Sequence, residues 1–240
     1  MLDVVLVTPV YRNAATLAEL AGRVAAALDG RAWRLRFVVD ACPEGSLDEA
    51  RRLAAAEPGR LAVTDLAVNG GQHAALAEGL AAEADAAAWV CLDADLQDPP
   101  EAVPALLDRL AGGDVDAVFA GRRGRYESTA RMMTGRLHRA VLARVTGLPP
   151  DAGAFVALAP LARDAIVRLR GPSVVAALGV ARVRAVSVPV ERAVRPSGRS
   201  AWTPAARLRQ SARTLAWAVQ ARARTAQAGA ADQRWTSTSA

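Results

Sequence analysis

Two carboxylates and an amide at alternate positions, Asp93, Asp95 and Gln97, close an apolar run over residues 86–92, and Pro99 and Pro100 follow. If the chain stays extended, alternation sets all three side chains on one side. Oxygen donors at the carboxyl end of a strand stand where open α/β sheets place their ligands. A donor set without thiolates or a histidine pair suits Mg²⁺ or Mn²⁺, ions that usually arrive with a phosphorylated substrate. A bare D-x-D equally fits a strand that merely ends in acidic turn residues. The longer run Asp93-Ala94-Asp95-Leu96-Gln97-Asp98-Pro99-Pro100-Glu101 is far more specific.

The elements that must position these groups follow from hydrophobic periodicity. Strands are expected at residues 2–9, 35–40, 61–67, 87–92 and 116–120, with helices at 14–28, 47–56, 72–82 and 100–110. Such alternation predicts an α/β fold with a mostly parallel central sheet, flanking helices and right-handed crossovers. The second half reads differently. A basic helix is expected at 129–146, a strand at 151–158, a short helix at 163–169 and an edge-type strand at 182–191. A long helix over 205–226 carries Arg207, Arg209, Arg213, Arg222 and Arg224.

Composition narrows the function classes. A chain of 240 residues, 52% hydrophobic, buries one substantial core. No apolar run approaches the roughly 18 residues of a spanning helix, and the first residues read as a strand rather than a signal peptide. Cys42 and Cys91 supply neither a disulfide framework nor zinc spacing, so a reducing cytoplasm is expected. The net charge is +6, and every basic residue is arginine. Arginine favours bidentate phosphate recognition. Nucleic acid is a poor partner for this charge, because the arginines are scattered over loops and one terminal helix with few aromatics for stacking.

Several separated segments carry a resemblance. Residues 4–11, V-V-L-V-T-P-V-Y, resemble the opening strand of family-two inverting glycosyltransferases, and Val38-Val39-Asp40 resembles their second strand. Residues 69–80, N-G-G-Q-H-A-A-L-A-E-G-L, and the D-A-D-L-Q-D-P-P-E run are similar to the polyprenyl-phosphate sugar transferase branch, which includes dolichol-phosphate mannose synthase and undecaprenyl-phosphate sugar transferases. The match runs over residues 2–215. It implies a GT-A, Rossmann-like nucleotide-sugar transferase fold over residues 1–204, while the residue pattern beyond it predicts an amphipathic basic helix over 205–228 and a disordered tail over 229–240.

The resemblance also implies roles. Asp95 and Gln97 hold the metal, Mg²⁺ or Mn²⁺, with Asp93 beside them. Pro9 and Tyr11 frame the base, Asp40 takes the nucleoside, and Asn69 and Gly71 border the donor, a nucleoside-diphosphate sugar that is UDP-linked first and GDP-linked second. Gly70 and Gly71 let backbone approach that donor closely, or they form a simple turn. His73 reads as a packing or hydrogen-bonding residue at a helix start. Gly121-Arg122-Arg123 resembles the family's G-S-R, and Arg131 with Thr134 its R-x-x-S, which implies that Arg123, Arg131 and Thr134 meet the polyprenyl phosphate of the acceptor. Asp151, in a D-x-G-x-x element, orients the acceptor or acts as base. Arg195 and Ser200 belong to a diphosphate loop in which Arg199 and Ala201 depart from the family's glutamate and lysine, and Ala157 replaces a customary arginine. Two other readings stay open, a transferase acting on a soluble hydroxyl acceptor and a nucleotide-sugar binder without turnover. The terminal helix either packs on its own domain or lies peripherally on the inner face of an anionic plasma membrane.

Overall fold

The computed structural model describes residues 1–123, 143–144, 146–192, 209 and 212–224, the side chains of Arg122 and Arg123 excepted. The expected alternation is present: β1 (Leu2–Val10), α1 (Ala14–Ala27), β2 (Trp33–Asp40), α2 (Ser46–Ala56), β3 (Leu61–Leu66), α3 (Gln72–Ala82) and β4 (Ala86–Cys91). A 3-10 turn (Pro100–Ala102) leads into α4 (Val103–Ala111), and β5 (Ala117–Arg123), β6 (Val156–Leu158), α5 (Pro160–Leu169), α6 (Val174–Val180) and β7 (Ala185–Glu191) follow.

The sheet has seven strands in the order β3-β2-β1-β4-β6-β5-β7. All pairs are parallel except those of β6, which runs antiparallel between β4 and β5. From β1 the chain moves outward through β2 and β3, then returns to lay β4 on the other side of β1. That reversal opens a crevice between the carboxyl ends of β1 and β4, the place where such sheets bind ligands. Both strands are covered on both faces, so their sequences are almost continuously apolar rather than alternating.

One helix packs unusually close. A Cβ at Gly79 of α3 would collide with Val7 of β1 and lie 2.6 Å from Val38 of β2. Gly79→Ala is therefore expected to lower stability by about 1–3 kcal/mol, read as an earlier urea midpoint. An unchanged midpoint would mean that the helix stands farther from the sheet.

The carboxyl end of α3 is tied down by charge. Glu83, its side chain 6% exposed, pairs with Arg36 at 2.6 Å and Arg34 at 3.3 Å, both from β2. Its carbonyl accepts the Trp89 indole N–H at 2.7 Å. Arg163 of α5 donates to the Leu80 carbonyl at 2.6 and 3.0 Å, meeting a helix end that lacks intrahelical donors. These arginines hold the scaffold, not a ligand.

Some expectations change. β5 does not stop at residue 120 but runs through Gly121, Arg122 and Arg123, paired with β7 to Glu191. The strand expected at 151–158 is only Val156–Leu158, and Asp151 lies in a turn before it. The helix α6 was not foreseen, because all seven of its residues are buried and an element apolar all round carries no helical period. Of the helix expected at 205–226, residues 212–224 are described as helical. It packs on its own domain: Thr214 and Ala218 are buried, and the Trp217 ring fills the space beside Gly171, where a Cβ would come within 2.6 Å. Among the described residues no helix is long and apolar enough to cross a membrane. The helix expected at 129–146 falls mostly, and the tail at 229–240 wholly, outside the described residues.

Candidate active site

The acidic run leaves β4 at Cys91 and does not stay extended. It folds into a turn around Ala94 and Asp95, with Leu96 in the left-handed region at φ 61°. The expected sidedness survives by another route. Leu92, Ala94, Leu96 and Asp98 are buried, whereas Asp93, Asp95 and Gln97 are half-buried. The apolar residues anchor the turn in the core beside α1 and α4, and Thr16 of α1 donates its hydroxyl to the Ala94 carbonyl at 2.6 Å. The Gln97 N–H donates to Asp95 Oδ1 at 3.1 Å, so the amide position fixes its carboxylate neighbour through backbone.

Asp93 is held from two distant elements. Gln72, the first residue of α3, donates Nε2–H to Oδ1 at 2.5 Å. Arg192, just past β7, places Nη2 3.4 Å from Oδ2. Asp98 completes the cluster, accepting the Asp93 N–H at 3.3 Å and facing Arg192 Nε at 3.2 Å. Gln72 and Asp98 stand within motifs that the sequence displays, but without an assigned role. Arg192 carries no local signal, because its meaning lies in a contact 99 residues away. Beside the cluster the Cys91 thiol is pushed up to about 12 by burial, the Asp93 charge adding to it, so it stays protonated and is no nucleophile.

Asp40, at the end of β2, is 3% exposed. Its two oxygens accept the N–H groups of Gly70 and Gly71 at 2.7 and 2.8 Å, and its carbonyl accepts Asn69 Nδ2–H at 2.9 Å. The expected nucleoside ligand thus acts first as the clamp of the Asn69-Gly70-Gly71 loop. Gly71 sits at φ 82°, a conformation glycine adopts without strain. Pro9 and Tyr11 lie at the end of β1; the Tyr11 ring carries the Arg12 guanidinium 5.4 Å from its centroid. The His73 ring accepts the Val174 N–H at 3.5 Å, and burial holds its pKa down near 4, which fits a neutral packing residue at the start of α3.

Asp151 stands at the same end of the sheet, because β6 runs antiparallel to β4. Asp151 Oδ2 and Ser187 Oγ both press on Gly121 of β5, in the space a Cβ would fill. The Ser187 hydroxyl is buried with no hydrogen-bond partner among the described residues. Arg123 closes β5 two residues on, its side chain outside the described set; Arg131, Thr134, Arg195 and Ser200 lie outside it altogether. The structure therefore sets Asp93, Asp95 and Gln97 in one turn at the carboxyl end of β4, ties Asp93 to Gln72 of α3, and clamps Asn69, Gly70 and Gly71 on Asp40 just before that helix.

The donor set can be judged as a cation site. Among the described residues no group of three or more His, Cys, Asp or Glu is placed to hold a metal ion by itself. Two half-buried carboxylates and an amide fit a hard cation that takes one or two protein ligands and completes its shell on substrate phosphates and water.

A family model, Glycosyl transferase family 2, matches residues 5–165. Among curated relatives, an undecaprenyl-phosphate 4-deoxy-4-formamido-L-arabinose transferase of Aeromonas hydrophila is 36% identical over 145 residues, 59% of this chain and 44% of that protein. The enzyme of the same description from Pseudomonas aeruginosa is 40% identical over 148 residues, 59% of this chain and 42% of that protein. The matched stretch thus spans less than half the length of these relatives. Among solved structures, glucosyl-3-phosphoglycerate synthase from Mycobacterium tuberculosis, in complex with Mn²⁺, UDP and glucosyl-3-phosphoglycerate, superposes with a TM-score of 0.66 at 19% identity, covering 92% of this chain and 80% of that one. A mannosyltransferase from Pyrobaculum calidifontis with GDP-Man and Mn²⁺ gives 0.59 at 19% identity, covering 99% and 80%. Both share the fold of this chain.

Proposed function

This chain belongs to glycosyl transferase family 2, and we propose that it moves a sugar from a nucleoside-diphosphate sugar to a polyprenyl phosphate with inversion at the anomeric carbon. The observation that carries the reading is the acidic turn after β4, presented at the crevice between β1 and β4. The curated relatives, which share this part of their chains, are described as acting on undecaprenyl phosphate. UDP-linked donors are the first expectation and GDP-linked ones the second.

Asp95 and Gln97 would hold a divalent cation, Mg²⁺ or Mn²⁺, which when bound neutralises the departing diphosphate. The chain's own groups do the remaining work. Gln72 and Arg192 fix Asp93 against the site, so that carboxylate does not have to reorganise during the reaction. Asp40 holds the Asn69-Gly70-Gly71 loop with backbone close to the donor. An oxygen of the acceptor phosphate attacks the anomeric carbon as the bond to the nucleoside diphosphate breaks, and the electron pair leaves with that diphosphate. A phosphate dianion needs no strong base, so alignment and charge neutralisation suffice. Asp151, pressed on Gly121, orients the acceptor, with Arg123, Arg131 and Thr134 on its phosphate and Arg195 and Ser200 on the donor's. A lipid acceptor brings the chain to the cytoplasmic face of a membrane as a peripheral enzyme.

One observation favours a second reading. Asp151 lies with Ser187 beside Gly121, the Ser187 hydroxyl buried and without a hydrogen-bond partner among the described residues, and a carboxylate there is what a hydroxyl acceptor would need as a general base. The test offers labelled UDP- and GDP-sugars with Mn²⁺ to undecaprenyl phosphate in detergent and, in parallel, to soluble sugar and glycerate acceptors. Label in the lipid, lost on adding EDTA, is the expected result. Label only in a soluble acceptor gives the second reading, and nucleotide binding without product in either arm sinks both.

A further inference from the structure

Arg192 leaves the end of β7 and returns to the carboxylates after β4. Its side chain is 10% exposed, and its partners Asp93 and Asp98 are 20% and 2% exposed. Burying a guanidinium this deeply is unfavourable unless carboxylates pair with it, and the two carboxylates it meets among the described residues belong to the acidic turn. The Asp98 carboxylate also accepts the Asp93 N–H, so the guanidinium and the backbone of the turn form one assembly. Arg192 is therefore a fixed positive charge built into a site whose other charged groups suit a cation.

We propose that Arg192 is a positioning residue that, through Asp93, makes divalent-cation binding at Asp95 and Gln97 conditional on the donor's diphosphate. A guanidinium on Asp93 offsets part of the negative charge that would draw a bare cation. The same guanidinium attracts the doubly charged diphosphate. A bare cation and a bare nucleotide each meet a mixed field; the two together complement it. By linkage, nucleotide and cation then raise each other's affinity by one common factor. The inference rests on the cation-and-diphosphate reading above and is independent of the acceptor.

The test follows Mn²⁺ uptake by the full chain through the electron paramagnetic resonance of free Mn²⁺, alone and with UDP or GDP, each measured against the same Mn²⁺ and nucleotide without protein so that chelation by the nucleotide itself is subtracted. The wild type is expected to bind Mn²⁺ weakly alone and, with the matching nucleotide, some 5- to 150-fold more tightly, the usual range of such coupling. Arg192→Gln is expected to bind Mn²⁺ alone on the order of tenfold more tightly, so that the nucleotide's enhancement shrinks by about the same factor while the part owed to phosphate ligation of the cation remains. Arg192→Lys, which keeps the charge, retains the wild-type pattern, as a merely structural role would not require. Unchanged bare affinity in Arg192→Gln overturns the proposal. So does a wild type that binds Mn²⁺ equally with and without nucleotide, which needs no variant to fold. Absence of Mn²⁺ uptake under every condition overturns both this proposal and the metal reading beneath it; normal uptake that ignores Arg192 overturns this one alone.

Discussion

Asp95→Asn is expected to lower sugar transfer on the order of 10²- to 10³-fold while leaving the fold intact, the loss seen when a group that stabilises transition-state charge is removed. The substitution is close to isosteric. Its amide oxygen can still accept the Gln97 N–H that Asp95 Oδ1 receives at 3.1 Å, so the turn keeps its shape. The change falls on charge, because a neutral amide is a far weaker ligand for a hard cation than a carboxylate. The loss should appear in kcat with Mn²⁺ present. The thermal shift produced by UDP or GDP with Mn²⁺ should shrink in parallel, since a ligand that binds less tightly stabilises less. Near wild-type turnover in Asp95→Asn would move the site away from this turn.

A second large effect is expected at a position that has no side chain of its own. Gly121→Ala puts a methyl group where Asp151 Oδ2 and Ser187 Oγ now lie. Both obstacles are ends of side chains, which can turn aside, so the chain should fold with a modest loss of stability. The displaced carboxylate is the consequence that matters. A misplacement of about 1 Å in a positioning group can cost roughly 10²-fold in rate. Transfer is therefore expected to fall on the order of 10²-fold, with nucleotide-dependent thermal stabilisation close to wild type. A variant that keeps full transfer would remove Asp151 from the acceptor side. One that loses nucleotide binding as well would place it on the donor side.

Much of this was legible in the sequence. The first half announces its elements because strands alternate with helices of ordinary length, and α3 runs from Gln72 to Ala82 as expected although it has little contrast between its faces. The half-buried Asp93, Asp95 and Gln97 were legible as a set, although a turn at Leu96 rather than an extended strand produces their sidedness. What stayed hidden depends on contacts between distant residues. Gln72, Asp93 and Arg192 converge from three elements, and one sequence without a partner alignment has no mark of that. Asp40 could be read as a polar group at a strand end, but not as a carboxylate already engaged by Gly70 and Gly71. The seven buried residues of α6 were missed for the opposite reason, an apolar run with no polar face to set its phase.

The Asp40 clamp has a thermodynamic consequence for the loop it holds. Because two backbone N–H groups of the loop are already satisfied by a buried carboxylate, the loop gains its order when the chain folds, not when a nucleotide arrives. On the proposed reading, in which this loop borders the donor, association would carry little conformational entropy cost there, and less of the contact energy would be spent on ordering backbone.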